Sequence, residues 1–99
     1  MNRKLQGSDI DFLFRAILEL QTLEECYNFF EDLCTVTELK ALSQRIQVAR
    51  MLQDHRVYSD IVAATGASTA TISRVNRSLN YGSDGYQVVF DRLEAKEHE

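Results

Sequence analysis

The stretch YSDIVAATGASTATISRVNRSL, residues 58–79, decides how this chain is read. Ile61, Val62 and Thr65 are spaced as the inward face of a short helix. Gly66 ends that helix, because a left-handed backbone is least costly where there is no β-carbon. Ser68 is placed to cap a second helix by accepting a hydrogen bond from its first free amides. Ile72, Val75 and Leu79, at i, i+3 and i+7, hold the second helix down. The pattern is two short helices joined by a tight glycine turn, which a purely structural helical hairpin shares.

Such a turn sets its helices at a steep angle, so the second can project into the major groove of double-stranded DNA. On that reading the outward side chains of the second helix are Thr69, Ala70, Ser73 and Arg77. With the cap and its neighbour, the candidate DNA-contacting residues are Ser68, Thr69, Ala70, Thr71, Ser73 and Arg77. Short side chains let a helix approach base edges closely, and an alanine or threonine methyl can meet a thymine methyl. Arginines at the flanks supply phosphate contacts, which set register rather than sequence.

The net charge of −4 is at first sight unfavourable to a nucleic-acid partner. Its distribution reverses that. Residues 8–39 hold eight carboxylates against Arg15 alone, a local charge of −7. Residues 40–79 hold Lys40, Arg45, Arg50, Arg56, Arg74 and Arg77 against Asp54 and Asp60, a local charge of +4. Residues 80–99 return to −3, and Arg3 with Lys4 adds +2 at the start. A basic middle between acidic flanks can bind phosphates locally.

Four more helices flank the hairpin. The first is expected from Ser8 as N-cap, with Asp9 and Asp11 near the positive end of its dipole, through to Leu20. Thr22 with Glu25, and Thr35 with Glu38, are capping boxes opening the second and third. The third runs through Leu39, Leu42, Ile46, Ala49 and Leu52, and a polar break follows at Asp54-His55-Arg56, where His55 reads as a solvated loop residue. After the loop 80–85, Ser83 or Asp84 can cap a last helix with Tyr86, Val89, Phe90 and Leu93 as its apolar face. Glu94 to Glu99 is charged and expected to fray.

The first two helices are too apolar for a peripheral position. Phe12, Leu13 and Phe14 are consecutive and so point to three sides of one helix. The 99 residues are one domain's worth of chain and offer too little material to cover them. A second copy is the simplest cover, which implies a partly intertwined homodimer. Proline is absent, 44% of residues are apolar and 26% charged, the composition of an all-α globular chain.

Cys26 and Cys34 have no CxxC spacing and read as buried free thiols, as in a reducing compartment. With no signal peptide and no twenty-residue apolar span, a cytoplasmic protein without a membrane partner is expected. An enzyme is not, because no GxSxG elbow, phosphate-loop glycine pattern or metal-ligand cluster appears. A protein-interaction module that keeps the hairpin only for packing remains the rival reading.

From about Leu33 to Leu79 the chain resembles the Trp repressor superfamily, and within it the YerC/YecD branch of Trp-repressor-like proteins. The stretches that carry the resemblance are ELKALSQRI, with Arg45, and GASTATISRVNRSL. The resemblance implies an all-α, six-helix fold over residues 1–99 forming an intertwined homodimer. It implies transcriptional regulation, usually repression at a palindromic operator. It also implies a small amino-acid corepressor bracketed by Arg45 and Arg74, with Thr35 and Ser78 on pocket positions. Guanidinium groups suit a carboxylate because they form paired hydrogen bonds. One position departs from that pattern. Val75 stands where the tryptophan-binding protein has a glycine that leaves room for the indole, so tryptophan itself is not the expected effector.

Overall fold

The structure is a computed structural model that describes residues 7–98. Its helices are α1 (Ser8–Leu18), α2 (Leu23–Leu33), α3 (Val36–Gln53), α4 (Tyr58–Thr65), α5 (Thr69–Tyr81) and α6 (Gly85–Glu97). No strand occurs among the described residues, so the fold is all-α with six helices. The charges expected at Arg3 and Lys4 and the end of the tail at Glu99 lie outside the described residues. The chain divides into two compact units, Met1–Leu39 and Lys40–Glu99.

In the N-terminal unit, the helix starts follow local hydrogen-bonding chemistry. Gly7, not Ser8, precedes the first turn of α1: its carbonyl already accepts from the Asp11 amide at 2.8 Å, which makes Ser8 the first helical residue. The helix also stops short of Leu20. The amides of Glu19 and Leu20 reach back only three residues, to Ala16 and Ile17, and this tightened turn ends the α-helical ladder.

At α2 the Thr22 hydroxyl accepts from the Glu25 amide at 3.1 Å, while the Glu25 carboxylate accepts from Gln21, one residue before the cap. At α3 the box is fully reciprocal: Thr35 Oγ1 accepts from the Glu38 amide at 3.1 Å and Glu38 Oε1 from the Thr35 amide at 2.9 Å. These bonds favour the ionised Glu38 carboxyl and hold its pKa below the usual value. Cys26 on α2 and Cys34 just past its end are free, and both are half-buried rather than buried.

No residue of α1 or α2 is buried. Phe12 is 69% exposed, Leu18 80% and Leu23 75%, so the unit presents apolar surface on several sides. Phe29 and Phe30 meet edge to face at 5.6 Å.

The C-terminal unit has the core. Val48 and Ala49 of α3, Ile61 of α4, Ala67 of the turn, and Ile72 and Val75 of α5 form one fully buried cluster. Met51, Leu52, Leu79, Tyr86 and Phe90 pack around it, the last two rings stacked at 6.0 Å. Three positions expected on inward faces, Val62, Val89 and Leu93, are not in it. Val62, next to Ile61 on an eight-residue helix, is turned about 100° away and is 39% exposed. Val89 and Leu93 of α6 are likewise exposed; of its apolar face only Tyr86 and Phe90 pack against this core.

Neither Ser83 nor Asp84 caps α6 through a side chain. Asp84 precedes the helix in a left-handed conformation, φ 62°, and makes no side-chain cap bond. The helix continues to Glu97, so most of the tail expected to fray is helical.

Candidate nucleic-acid interface

The hairpin is locked by bonds that begin at Thr65. Its hydroxyl donates to the Ile61 carbonyl at 2.7 Å and accepts from the Ala67 amide at 3.1 Å, bridging the end of α4 to the turn. Gly66 takes the left-handed conformation, φ 70°, and donates to the Val62 carbonyl at 2.9 Å. Ser68 Oγ accepts from the Thr71 amide at 3.1 Å and opens α5. From α3, Gln44 Nε2 donates to the Thr65 carbonyl at 3.1 Å and ties the end of α4 to the longer helix. With Ala67, Ile72 and Val75 buried against Val48 and Ala49, the orientation of α5 is set by packing within the chain itself.

Helix α5 therefore has an inner and an outer face. Ile72, Val75 and Leu79 lie within about 60° of one another at 100° per residue. Opposite them Thr69, Ala70, Ser73 and Arg77 share an arc of about 100° and are all exposed. Thr69 to Arg77 spans about 12 Å of helix, the width of a B-DNA major groove. Ser68 is exposed at the cap. Thr71 falls at the margin of the inner face, is half-buried, and accepts a hydrogen bond from Ser68 Oγ at 3.0 Å. Five of the six expected contact residues thus present side chains to solvent, and Thr71 supports the cap instead.

Electrostatics favour an anionic partner here. Arg56 pairs with Asp60 at 3.5 Å, an exposed i, i+4 pair. Among the described residues of this unit no other ion pair forms, so Lys40, Arg45, Arg50, Arg74 and Arg77 are not neutralised by its described carboxylates. An open groove of about 520 Å³ runs beside the turn, lined by Lys40, Ser43, Gln44, Gln47, Met51, Ala64 and Thr65. It carries one cation and several amide and hydroxyl groups, a set suited to a phosphate backbone.

The residues that the resemblance assigned to a small effector are divided between the two units. Arg45 is exposed on α3, Arg74 is exposed on α5, and Ser78 Oγ donates to the Arg74 carbonyl at 3.3 Å. Thr35 belongs to the N-terminal unit, where its hydroxyl caps α3. Val75 is 2% exposed, its side chain wholly inside the core cluster. Space that a glycine would leave beside α5 is filled by this chain's own carbon atoms.

Two contributors were not visible in the linear pattern. Gln44 looks like any surface glutamine on α3, and its bond to Thr65 spans 21 residues. Ala67 is buried although it sits in the turn; the Gly-Ala-Ser order beside the break was the available signal.

The Trp repressor protein family model matches residues 8–94. The chain is 55% identical over 96 residues to the uncharacterised protein YerC of Bacillus subtilis, covering 97% of this chain and 92% of that one. Among solved structures, a TrpR-like protein of Eubacterium eligens superposes with a TM-score of 0.91 at 61% identity, covering 94% of this chain and 96% of that chain. A candidate Trp repressor of Staphylococcus aureus also superposes with a TM-score of 0.91, at 54% identity and 95% coverage of both chains. No helix among the described residues is long and apolar enough to cross a membrane. Six helices, a glycine-turned hairpin with a solvent-facing second helix, and this extended likeness agree: the chain belongs to the Trp repressor family, a family of regulatory DNA-binding proteins and not of enzymes.

Proposed function

We propose that this chain is a transcriptional repressor acting in the cytoplasm as a homodimer on a palindromic operator. Helix α5 of each protomer enters the major groove, and the half-sites lie about one helical turn apart. The observation that carries the reading is the exposed arc of Thr69, Ala70, Ser73 and Arg77, on a helix anchored along its opposite face. Ser68 and Thr71 hold the start of that helix, and the unpaired cations of residues 40–77 take the phosphates.

The exposed apolar surface of the N-terminal unit supports the dimer. Leaving Phe12, Leu18 and Leu23 in water is unfavourable by the hydrophobic effect. A second copy of the same unit covers them, and residues 1–99 then act as one domain of an intertwined assembly. Where a small effector acts, Arg45, Arg74 and Ser78 of the C-terminal unit are the residues for its polar ends. Val75 supports an amino acid smaller than tryptophan, because a flat bicyclic ring cannot share the space of a buried valine.

The test is selection from random duplex DNA with purified protein, with and without amino acids, after sedimentation has established the oligomeric state. A palindromic consensus bound by a dimer is expected. A dimer that selects no sequence under either condition refutes the regulator and leaves a helical interaction module; a monomer at micromolar concentration refutes the assembly.

A further inference from the structure

The outward face of α5 has no long hydrogen-bonding side chain in its first turn. From 68 to 73 the exposed side chains are those of Ser68, Thr69, Ala70 and Ser73. The Ser68 hydroxyl is committed, accepting from the Thr71 amide and donating to Thr71 Oγ1. Thr71 is half-buried and engaged by that same bond. The free groups are therefore the methyls of Thr69 and Ala70 and the hydroxyls of Thr69 and Ser73. None of these can make the bidentate contact by which Arg or Lys reads guanine, or Asn or Gln reads adenine. Arg74 stands at one margin of the arc, beside Ser78, and Arg77 lies two turns from the helix start.

A helix end this short in side chains can approach the floor of the groove closely. The apolar feature it meets there is the thymine C5 methyl, which no other base presents. We propose that this protein recognises its operator through thymine methyl groups, with Ala70 and the Thr69 methyl as the specificity-determining contacts and thymine-containing half-sites as its substrate class. The inference rests on the reading of α5 as the DNA-contacting helix. Burying one methyl contributes about a four-fold change in affinity, and a symmetric dimer makes each contact twice, so about fifteen-fold is at stake per symmetric thymine pair.

The experiment uses the full-length protein and the duplex recovered by selection. Symmetry-related thymines are replaced, one pair at a time, by deoxyuridine, which removes the C5 methyl and leaves the pairing edge intact. Binding is followed by fluorescence anisotropy at one salt concentration. At least one pair should weaken binding by about fifteen-fold in the wild-type protein. In Ala70→Gly or Thr69→Ser the same replacement should change affinity less than two-fold, since the protein methyl is already gone. This coupling is a readout that altered duplex flexibility does not produce. Helical content of each variant, checked by circular dichroism, separates lost contact from lost folding, and Ala70→Ser, which keeps the β-carbon, is a second variant at the same position. Should every deoxyuridine duplex bind within two-fold of the parent while sequence selectivity persists, methyl recognition is wrong and the DNA-binding role stands. Absence of any selected sequence would overturn both.

Discussion

Val75 is the residue whose substitution separates a self-locked reading helix from one that needs a ligand. It lies on α5, is 2% exposed, and belongs to the cluster of Val48, Ala49, Ile61, Ala67 and Ile72. Val75→Gly removes its whole side chain from that packed site. Large-to-small substitutions of this kind cost about 1 kcal/mol per buried carbon, including the cavity term, so about 2–3 kcal/mol here. Glycine in a helix interior adds about 1 kcal/mol. A total of about 3–4 kcal/mol is a large part of the roughly 5–15 kcal/mol that holds a domain of this size. Urea unfolding at a fixed protomer concentration reads the loss as a lower midpoint at unchanged slope. Operator affinity, measured without any amino acid, should be full in the wild type and lower in the variant beyond what its unfolded fraction explains. Tryptophan should leave the wild-type melting temperature unmoved, because the valine carbons occupy the cavity it would need. A variant that loses under 1 kcal/mol and keeps full affinity would refute the idea that Val75 sets the orientation of α5. A large tryptophan shift in the wild type would refute the steric argument.

Gly66→Ala places a β-carbon in a left-handed residue with open space around it, so the expected loss is the backbone preference alone, about 1–2 kcal/mol, read by thermal or urea unfolding. Gly82→Ala should be more harmful, because its β-carbon would collide with the Ser78 carbonyl that closes α5. Arg77→Ala should weaken DNA binding while sedimentation shows the dimer intact, and Lys40→Ala should lower the slope of log affinity against log salt by about one; unchanged binding would remove either residue from the interface. Glu38 has a pKa lowered below 4.5 by its bonds to Thr35, so its stabilisation of the start of α3 is fully present above that pH and is lost as pH falls through the folded-state value. Amide-exchange protection at Thr35 should therefore fall on acidification in the wild type and stay level in Glu38→Gln, whose side chain can keep the same bond without titrating.

Helix positions, the caps at Thr22, Thr35 and Ser68, and the break at Gly66 were legible because each depends on residues within four positions along the chain. Thr22–Glu25, Thr35–Glu38 and Ser68–Thr71 are contacts of this kind, and the period of Ile72, Val75 and Leu79 marks one helical face directly. The outward residues of α5 followed from the same periodicity. The misassigned positions are those where local pattern leaves a choice. Val62 and Ile61 are neighbours of similar apolarity, and only the packing of α4 against the core decided that Ile61 goes inside. Thr71 carries the same hydroxyl as Thr69, yet a rotation of about 200° along α5 turns it towards the buried side.

The linear order of residues was enough to determine that this protein has six helices, a glycine-turned hairpin from Tyr58 to Leu79 and a basic middle between acidic ends. Periodicity, capping and charge are short-range properties, carried by the chain before it folds. Tertiary structure alone decided that Gln44 reaches the Thr65 carbonyl, that Ala67 is buried in a turn, and that Val75 fills the space beside α5. Those facts depend on which surfaces meet across tens of residues, and close packing, rather than any local preference, selects among them.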